Sequence, residues 1–207
     1  MSARAAAATV LQDEDALRAD LYGFLSRLLA APPDEDLLER TRSLGGDDSS
    51  IGRGIAALAV LAGRLRASEV RREFDALFIG LGRGELIPHA SYYLTGFLNE
   101  KPLARLRADM GRLGIARADG VAEPEDGIAP LCEMMAGLIR GDFGAPADLA
   151  SQRRFFETHL EPWAAHFFAD LEGAKGSVFY APVGRIGRSF MDVEREGFRM
   201  QTQQEDA

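Results

Sequence analysis

The chain is short of the residues that staple, span or hold metal. It has one cysteine in 207 residues, Cys132. A single thiol cannot close an intrachain disulfide, and it suits a reducing compartment, so the cytoplasm is the expected location. Histidine is also scarce: His89, His159 and His166. Structural zinc needs three or four ligands, and no His or Cys cluster supplies them. No apolar run approaches the roughly 18 residues that cross a bilayer, so no stable membrane insertion is expected. The N-terminal MSARAAAATV lacks a leucine-rich stretch and a cleavage site. Residues 1–12 therefore read as a disordered tail, not a secretory signal. Basic charge is outnumbered, with a formal net charge of -8. That argues against nucleic acid and anionic membrane as partners and leans toward a basic one. No segment alternates with period two, no Asn-Gly pair joins two strand-like runs, and no repeat of fixed period appears. There is no GxSxG nucleophile motif, and nothing specifies a reaction, so the chain is read as a non-enzyme.

Helical periodicity is what the chain does have. Leu17, Leu21, Phe24, Leu25, Leu28 and Leu29 form one stripe over 13–30, stopped by Pro32 and Pro33. A short helix follows over 34–43. Residues 46–54 are polar and glycine-rich and read as a mobile loop, and 55–66 is a third helix. Ser68 is placed to cap the next one. Pro102 suits a first helical turn, and Leu103, Leu106, Met110 and Leu113 share its buried face. The period returns from Ile128 to Leu138. It continues through 148–160, breaks at Pro162, and resumes with Trp163, Phe167, Phe168 and Leu171. A last helix covers roughly 178–200, weakened near its middle by Gly184 and Gly187, and 201–207 reads as a frayed tail. The expected class is all-α: one domain of about eight to ten helices over 13–200, with a hinge near 116–127.

The stretch 73–101, EFDALFIGLGRGELIPHASYYLTGFLNEK, is organised differently. It starts as a helix with Phe74, Leu77 and Phe78 on one face. It then runs through Gly80, Gly82, Gly84 and Pro88 while keeping Leu81, Leu86, Tyr93 and Phe97. A solvated loop does not carry so much apolar surface. It either lines a peptide-binding groove or is a buried connector that completes the core. Tyr22 either faces that groove or is a boundary tyrosine with a wet hydroxyl.

Other candidates are weaker. GLGRGE resembles a phosphate loop but lacks a preceding strand and a Gly-Lys-Ser/Thr end, so weak nucleotide contact is the most it suggests. Cys132 sits in an apolar stripe and reads as a small buried hydrophobe. The histidines read as hydrogen-bonded groups at helix packing sites. His159 and His166 share a face only if Pro162 leaves the helix straight. Glu123-Pro124-Glu125-Asp126 reads either as a helix start, with acids at the positive end of the dipole, or as carboxylates that accept an arginine-bearing peptide. Asp119 would help steer such a ligand.

Three segments together resemble the TorD/DmsD family of redox-enzyme maturation chaperones. FDALFIGLGRGELIPHASYYLTG is similar to the family's aromatic-x-x-Leu-Phe segment and Pro-x-x-Ser-x-Tyr loop. EPEDG is similar to its Glu-Pro-x-Asp-His hinge, and FFETHLEPWAAHFFADLEGA to its His-Leu-x-Pro-Trp helix. The resemblance implies a TorD-like all-helical cytoplasmic chaperone with no catalytic residue, metal or required cofactor. Its partner would be the twin-arginine signal peptide, and the apo body, of a molybdenum-cofactor oxidoreductase. Formate dehydrogenase and a DMSO- or TMAO-reductase-type enzyme are the clients it implies. The C-terminal DVEREGFRM leans toward the first. The implied groove is Phe74, Leu77, Phe78, Pro88, Ser91 and Tyr93, faced by Tyr22, with Glu123, Pro124 and Asp126 at the hinge. On that reading Asp126→Lys weakens peptide binding while the fold survives. The sequence departs from the pattern at Gly127, where the family has histidine, which leaves the polarity there to Asp126. Two alternatives stand beside this one: a weak guanine-nucleotide-binding or hydrolysing switch at GLGRGE, and an assembly subunit of the nitrate-reductase delta type. Glycines at 120 and 127 would permit a domain-swapped dimer as well as a monomer.

Overall fold

Helix-forming stripes account for most of the chain. The structure, a computed structural model, describes residues 2–80, 83–117, 120 and 123–205. In order the helices are α1 (Ser2–Ala30), α2 (Glu35–Arg42), α3 (Ser50–Arg64), α4 (Ala67–Phe74), α5 (Ala90–Thr95), α6 (Lys101–Arg112), α7 (Ile128–Arg140), α8 (Leu149–His159), α9 (Ala164–Gly173) and α10 (Tyr180–Glu205). A π-helical turn, Asp75–Ile79, extends α4. Among the described residues there is no strand, only one isolated antiparallel bridge between His89 and Gly127.

Helix α7 is the axis. Ten of its 13 residues are buried, which is the pattern of a helix enclosed on all sides. α1 lies along one side of it and α8 against another, while α10 packs on α9 and α3. Trp163, Phe156, Phe167, Phe168 and Phe179 are fully buried between these layers. They are among the largest of the fully buried side chains that close the bundle.

Several boundaries differ from the periodicity. α1 runs back to Ser2, where a tail was expected, and the alanines at 5–8 have the highest helix propensity of any residue. α10 runs on to Glu205 through glutamines that also favour helix. α3 begins at Ser50, inside the segment expected to be a loop, because the Ser49 hydroxyl accepts from the Gly52 N–H at 2.9 Å and caps it. α4 begins at Ala67, ahead of the expected Ser68 cap, and the Glu69 carboxylate accepts from the Arg66 N–H. The buried stripe of α1 is rotated: Leu17 is 70% exposed, and Tyr22 takes a place in the core. Nor is α10 weakened at its glycines. A Cβ on Gly187 would sit 2.3 Å from the Phe168 ring, and one on Gly184 2.5 Å from the Glu172 nitrogen. The two glycines let α10 and α9 approach closely, which no larger residue allows.

Candidate peptide-binding site

Part of the stretch 73–101 folds back into the protein, while Ile79, Leu94, Phe97 and Leu98 stay exposed. Phe74 is 6% exposed and Leu77 wholly buried. The Phe74 and Phe78 rings meet edge-on at 4.9 Å between centroids, and both contact Tyr180. Gly80, at φ 63°, ends the π turn, and Leu81 and Gly82 of the GLGRGE segment lie outside the described residues. The following segment is pinned by its own carboxylates. Glu73 accepts from the N–H groups of Val178, Phe179 and Tyr180 at 2.8–3.0 Å, capping α10. Glu85 accepts from Lys175 N–H at 2.9 Å. No local pattern announces these long-range caps.

The predicted groove residues are thus divided. Tyr22 is wholly buried, and its hydroxyl donates to Glu194 Oε2 at 3.0 Å, so it is neither a groove residue nor wet at its tip. Burial raises its phenol well above the usual range, with the Glu194 charge adding to the effect. Ser91 is also wholly buried, at the start of α5. Tyr93 is half-buried, stacks 5.3 Å from Trp163, and donates to Asp170 at 2.8 Å. Phe78 and Pro88 are partly exposed. Tyr22, Phe74, Leu77 and Ser91 are thus buried here and present almost no side-chain surface, whereas Phe78, Pro88 and Tyr93 do.

The acidic segment is where predicted residues do gather. Glu123 is exposed and Pro124 partly so. Glu125 is 7% exposed. Arg107 forks onto its Oε2 at 3.0 and 2.9 Å, while Arg117 approaches Oε1 at 3.4 Å. Burial raises the Glu125 carboxyl, but the guanidinium groups outweigh that and leave it below its ordinary value. Asp126 is 1% exposed, and its Oδ2 accepts from Ser91 N–H at 2.8 Å. Burial again pushes upward, and His89 and Ser91 bring the net value down. A lysine at 126 would bury a cation beside His89 and orphan the Ser91 N–H, so Asp126→Lys does not test binding with the fold intact. Nor does Gly127 leave Asp126 without an imidazole, because His89 Nδ1 stands 3.4 Å from Asp126 Oδ1. Asp119 lies outside the described residues.

A cavity of about 200 Å³ opens beside Glu125. Met110, Ile115, Met134 and Phe143 are among the residues that floor it, and Glu123, Glu125 and Glu133 rim it together with Arg117, which faces Glu125 Oε1 at 3.4 Å. Glu133 was not singled out in the sequence. It is the exposed residue of an otherwise buried run, and the lone acid in IAPLCEMMAGLIR marks that helix's solvent face. Across α7 a second cavity, of about 240 Å³, has Leu94, Pro102, Leu106 and Leu131 among its walls and Asp126 at its base. Lys101 and Arg105 also line it, and they would repel a cationic ligand. A roomier cavity, of about 380 Å³, lies between α1 and α10; Arg18 there pairs with Glu194 at 2.7 Å and with Asp15 at 2.6 Å, and Glu14 also lines it.

The other candidates are structural. His159 is buried, and its Nε2 hydrogen-bonds Asp109 Oδ2 at 2.8 Å. α8 ends there and α9 starts at Ala164, so His166 faces solvent on a different surface. The Trp163 indole donates to the His159 carbonyl at 2.8 Å, closing the break. Cys132 is wholly buried, and burial pushes its thiol far up. Among the described residues no group of three His, Cys, Asp or Glu could hold a metal ion, and no helix is long and apolar enough to cross a membrane.

The fold is all-helical among the described residues, and comparison with known proteins agrees. A family model described as "Nitrate reductase delta subunit" matches residues 45–169, more than half of the chain. Chaperone protein TorD of Vibrio cholerae is 26% identical over 198 residues, covering 86% of this chain and 90% of its own. That of Aliivibrio fischeri is 28% identical over 200 residues, covering 86% and 92%. In fold, a candidate redox enzyme maturation protein from Archaeoglobus fulgidus matches with a TM-score of 0.56 and 23% identity, over 84% of this chain and 93% of that one. The similar proteins are named as chaperones, not enzymes. The chain belongs to the nitrate reductase delta subunit family, in its TorD/DmsD group of redox-enzyme maturation chaperones.

Proposed function

We propose that this chaperone acts in the cytoplasm and binds the twin-arginine signal peptide of a molybdenum-cofactor oxidoreductase until cofactor insertion is complete. One observation carries the reading: the cavity beside α7 sets an apolar floor under the carboxylates of Glu123, Glu125 and Glu133. A leader peptide offers two guanidinium groups followed by an apolar stretch, which is the complement of that site. Glu125 supports it, since its carboxylate already receives the fork of Arg107. A ligand arginine would replace the longer, 3.4 Å contact of Arg117 at Oε1. Asp126 lies behind the site and, with Tyr22, Phe74, Leu77 and Ser91, belongs to its scaffold.

Calorimetry with a synthetic twin-arginine leader tests this. Glu123→Gln with Glu133→Gln should weaken binding about tenfold, or ~1.4 kcal/mol. A leader with lysines in place of both arginines should also bind more weakly, because an ammonium cannot copy the bidentate fork. Unchanged affinity in both experiments overturns the site. The family's description favours a second reading, an assembly subunit kept in a mature complex. Co-purification with the finished oxidoreductase would select it, since a chaperone leaves before export.

A further inference from the structure

His89 and Gly127 face each other across the isolated antiparallel bridge. Ala90 N–H donates to the Asp126 carbonyl, and Ile128 N–H to the Pro88 carbonyl, each at 2.9 Å. Residues opposed in this way place their side chains next to each other. Gly127 has none, and a Cβ built there would lie 3.4 Å from His89 Cε1 and 3.5 Å from Nδ1. The imidazole of His89 thus fills the space over Gly127. Its Nδ1 stands 3.4 Å from Asp126 Oδ1, outside hydrogen-bond geometry. Both atoms are buried, and neither has another partner. A buried carboxylate edge without a donor is costly, so the tautomer with its proton on Nδ1 is the one that fits, and a small ring rotation brings it into line.

We infer that His89, set opposite Gly127 across the bridge, is the residue that holds the Asp126 carboxylate in place. It is a positioning residue. It holds the Asp126 carboxylate that receives Ser91 N–H, and so it fixes the segment before α5 against the first turn of α7. This stands apart from the identity of the client, because its first readout is thermal unfolding of the protein alone.

The experiment is a relocation. His89→Ala should lower Tm by about 4 °C, a shift of the size expected for losing one buried polar contact. Adding Gly127→His to His89→Ala should return at least half of that loss. Adding Gly127→Phe instead should return less, because phenyl fills the space but cannot donate to Asp126. His89→Gln, whose amide keeps a donor without touching position 127, should lose less than His89→Ala. The inference is overturned if His89→Ala leaves Tm unchanged, or if phenylalanine at 127 rescues as well as histidine. It is also overturned if glutamine at 89 is no better than alanine. That last comparison decides the matter even where a side chain at 127 prevents folding.

Discussion

Two regions of the molecule bury carboxylates, and they do so to different ends. Between α1 and α10, Glu194 is 4% exposed and every part of it is engaged. Arg18 forks onto it at 2.7 and 2.9 Å, and Tyr22 donates to it at 3.0 Å. Arg18 in turn reaches Asp15 and Gln152. At the start of α7, Asp126 and His89 keep unpaired buried atoms, and Glu123 and Glu133 face solvent. A saturated polar network fixes one arrangement of helices. Carboxylates that face solvent, as Glu123 and Glu133 do, are the ones a ligand could reach. The difference separates what holds this fold from what the fold presents.

The largest effect should come from breaking the closed network. Glu194→Ala leaves the Arg18 guanidinium and the Tyr22 hydroxyl buried without their acceptor. Removing one partner of a buried pair costs about 3 kcal/mol or more. For a domain of this size that lowers Tm by roughly 6–12 °C. Thermal unfolding followed by circular dichroism measures it. A loss under about 1 kcal/mol would mean that the network is dispensable and the comparison fails.

Asp126 comes next. Asp126→Lys should cost about 3 kcal/mol, comparable to the closed network, because it buries an unpaired charge. Asp126→Asn keeps the shape and one acceptor for Ser91 N–H, and should cost about 1 kcal/mol. Denaturant titration of the two variants reports the ratio. Equal, small losses would show that Asp126 is wetter than its 1% exposure implies.

Much of this was legible in the sequence, with limits that have physical causes. Leucine and phenylalanine spacing marked most helices, since a buried face must repeat every 3.6 residues. It could not say which flank of a stripe is covered: Leu17 lost its place to Tyr22 because Glu194, 172 residues away, satisfies the phenol. The apolar content of 73–101 signalled burial correctly at Phe74 and Leu77, but not at Ile79, Leu94, Phe97 and Leu98, which are exposed. Phe74 and Leu77 pack inward because Glu73 and Glu85 tie the turn before α10 to them, and such caps have no local signature. Glu123 at the rim was legible, and so was the Glu-Pro-x-Asp pattern. The imidazole beside Asp126 was not, since it belongs to His89, which only the bridge brings near.

A smaller, pH-dependent loss should come from the contact of α6 with α8 and from the segment before α7. Burial lowers His159 below its ordinary 6.5 despite the attraction of Asp109, so the folded state prefers the neutral ring. The stability this ring contributes is present above that value and is lost as pH falls below it. Asp109, Glu125 and Asp126 are held below their ordinary 3.8, 4.5 and 3.8 despite burial. Their contribution is present above those values and fades as pH drops through the lowered ones. Tm should therefore be flat from about pH 7 to about pH 8, below the ordinary range of the buried Cys132 and Tyr22, dip below about pH 6.5, and fall again below about pH 4. His159→Gln should remove the first step and leave the second. A Tm that rises between pH 6.5 and 5 would contradict the neutral ring.

The smallest expected change in stability belongs to the open site, and it is the sharpest test of the comparison. Glu123 and Glu133 are exposed, and neither carboxylate holds another element in place. Replacing both by glutamine should leave Tm within about 1 °C of the parent, as surface substitutions away from structural features do. Leader affinity should nevertheless fall about tenfold, because two of the three rim charges are gone. Glu194→Ala, read in a folded fraction at low temperature, should show the reverse: large instability with affinity near the parent's. If both substitutions move stability and binding together, the acid rim is part of the frame, and the division between the two regions does not exist.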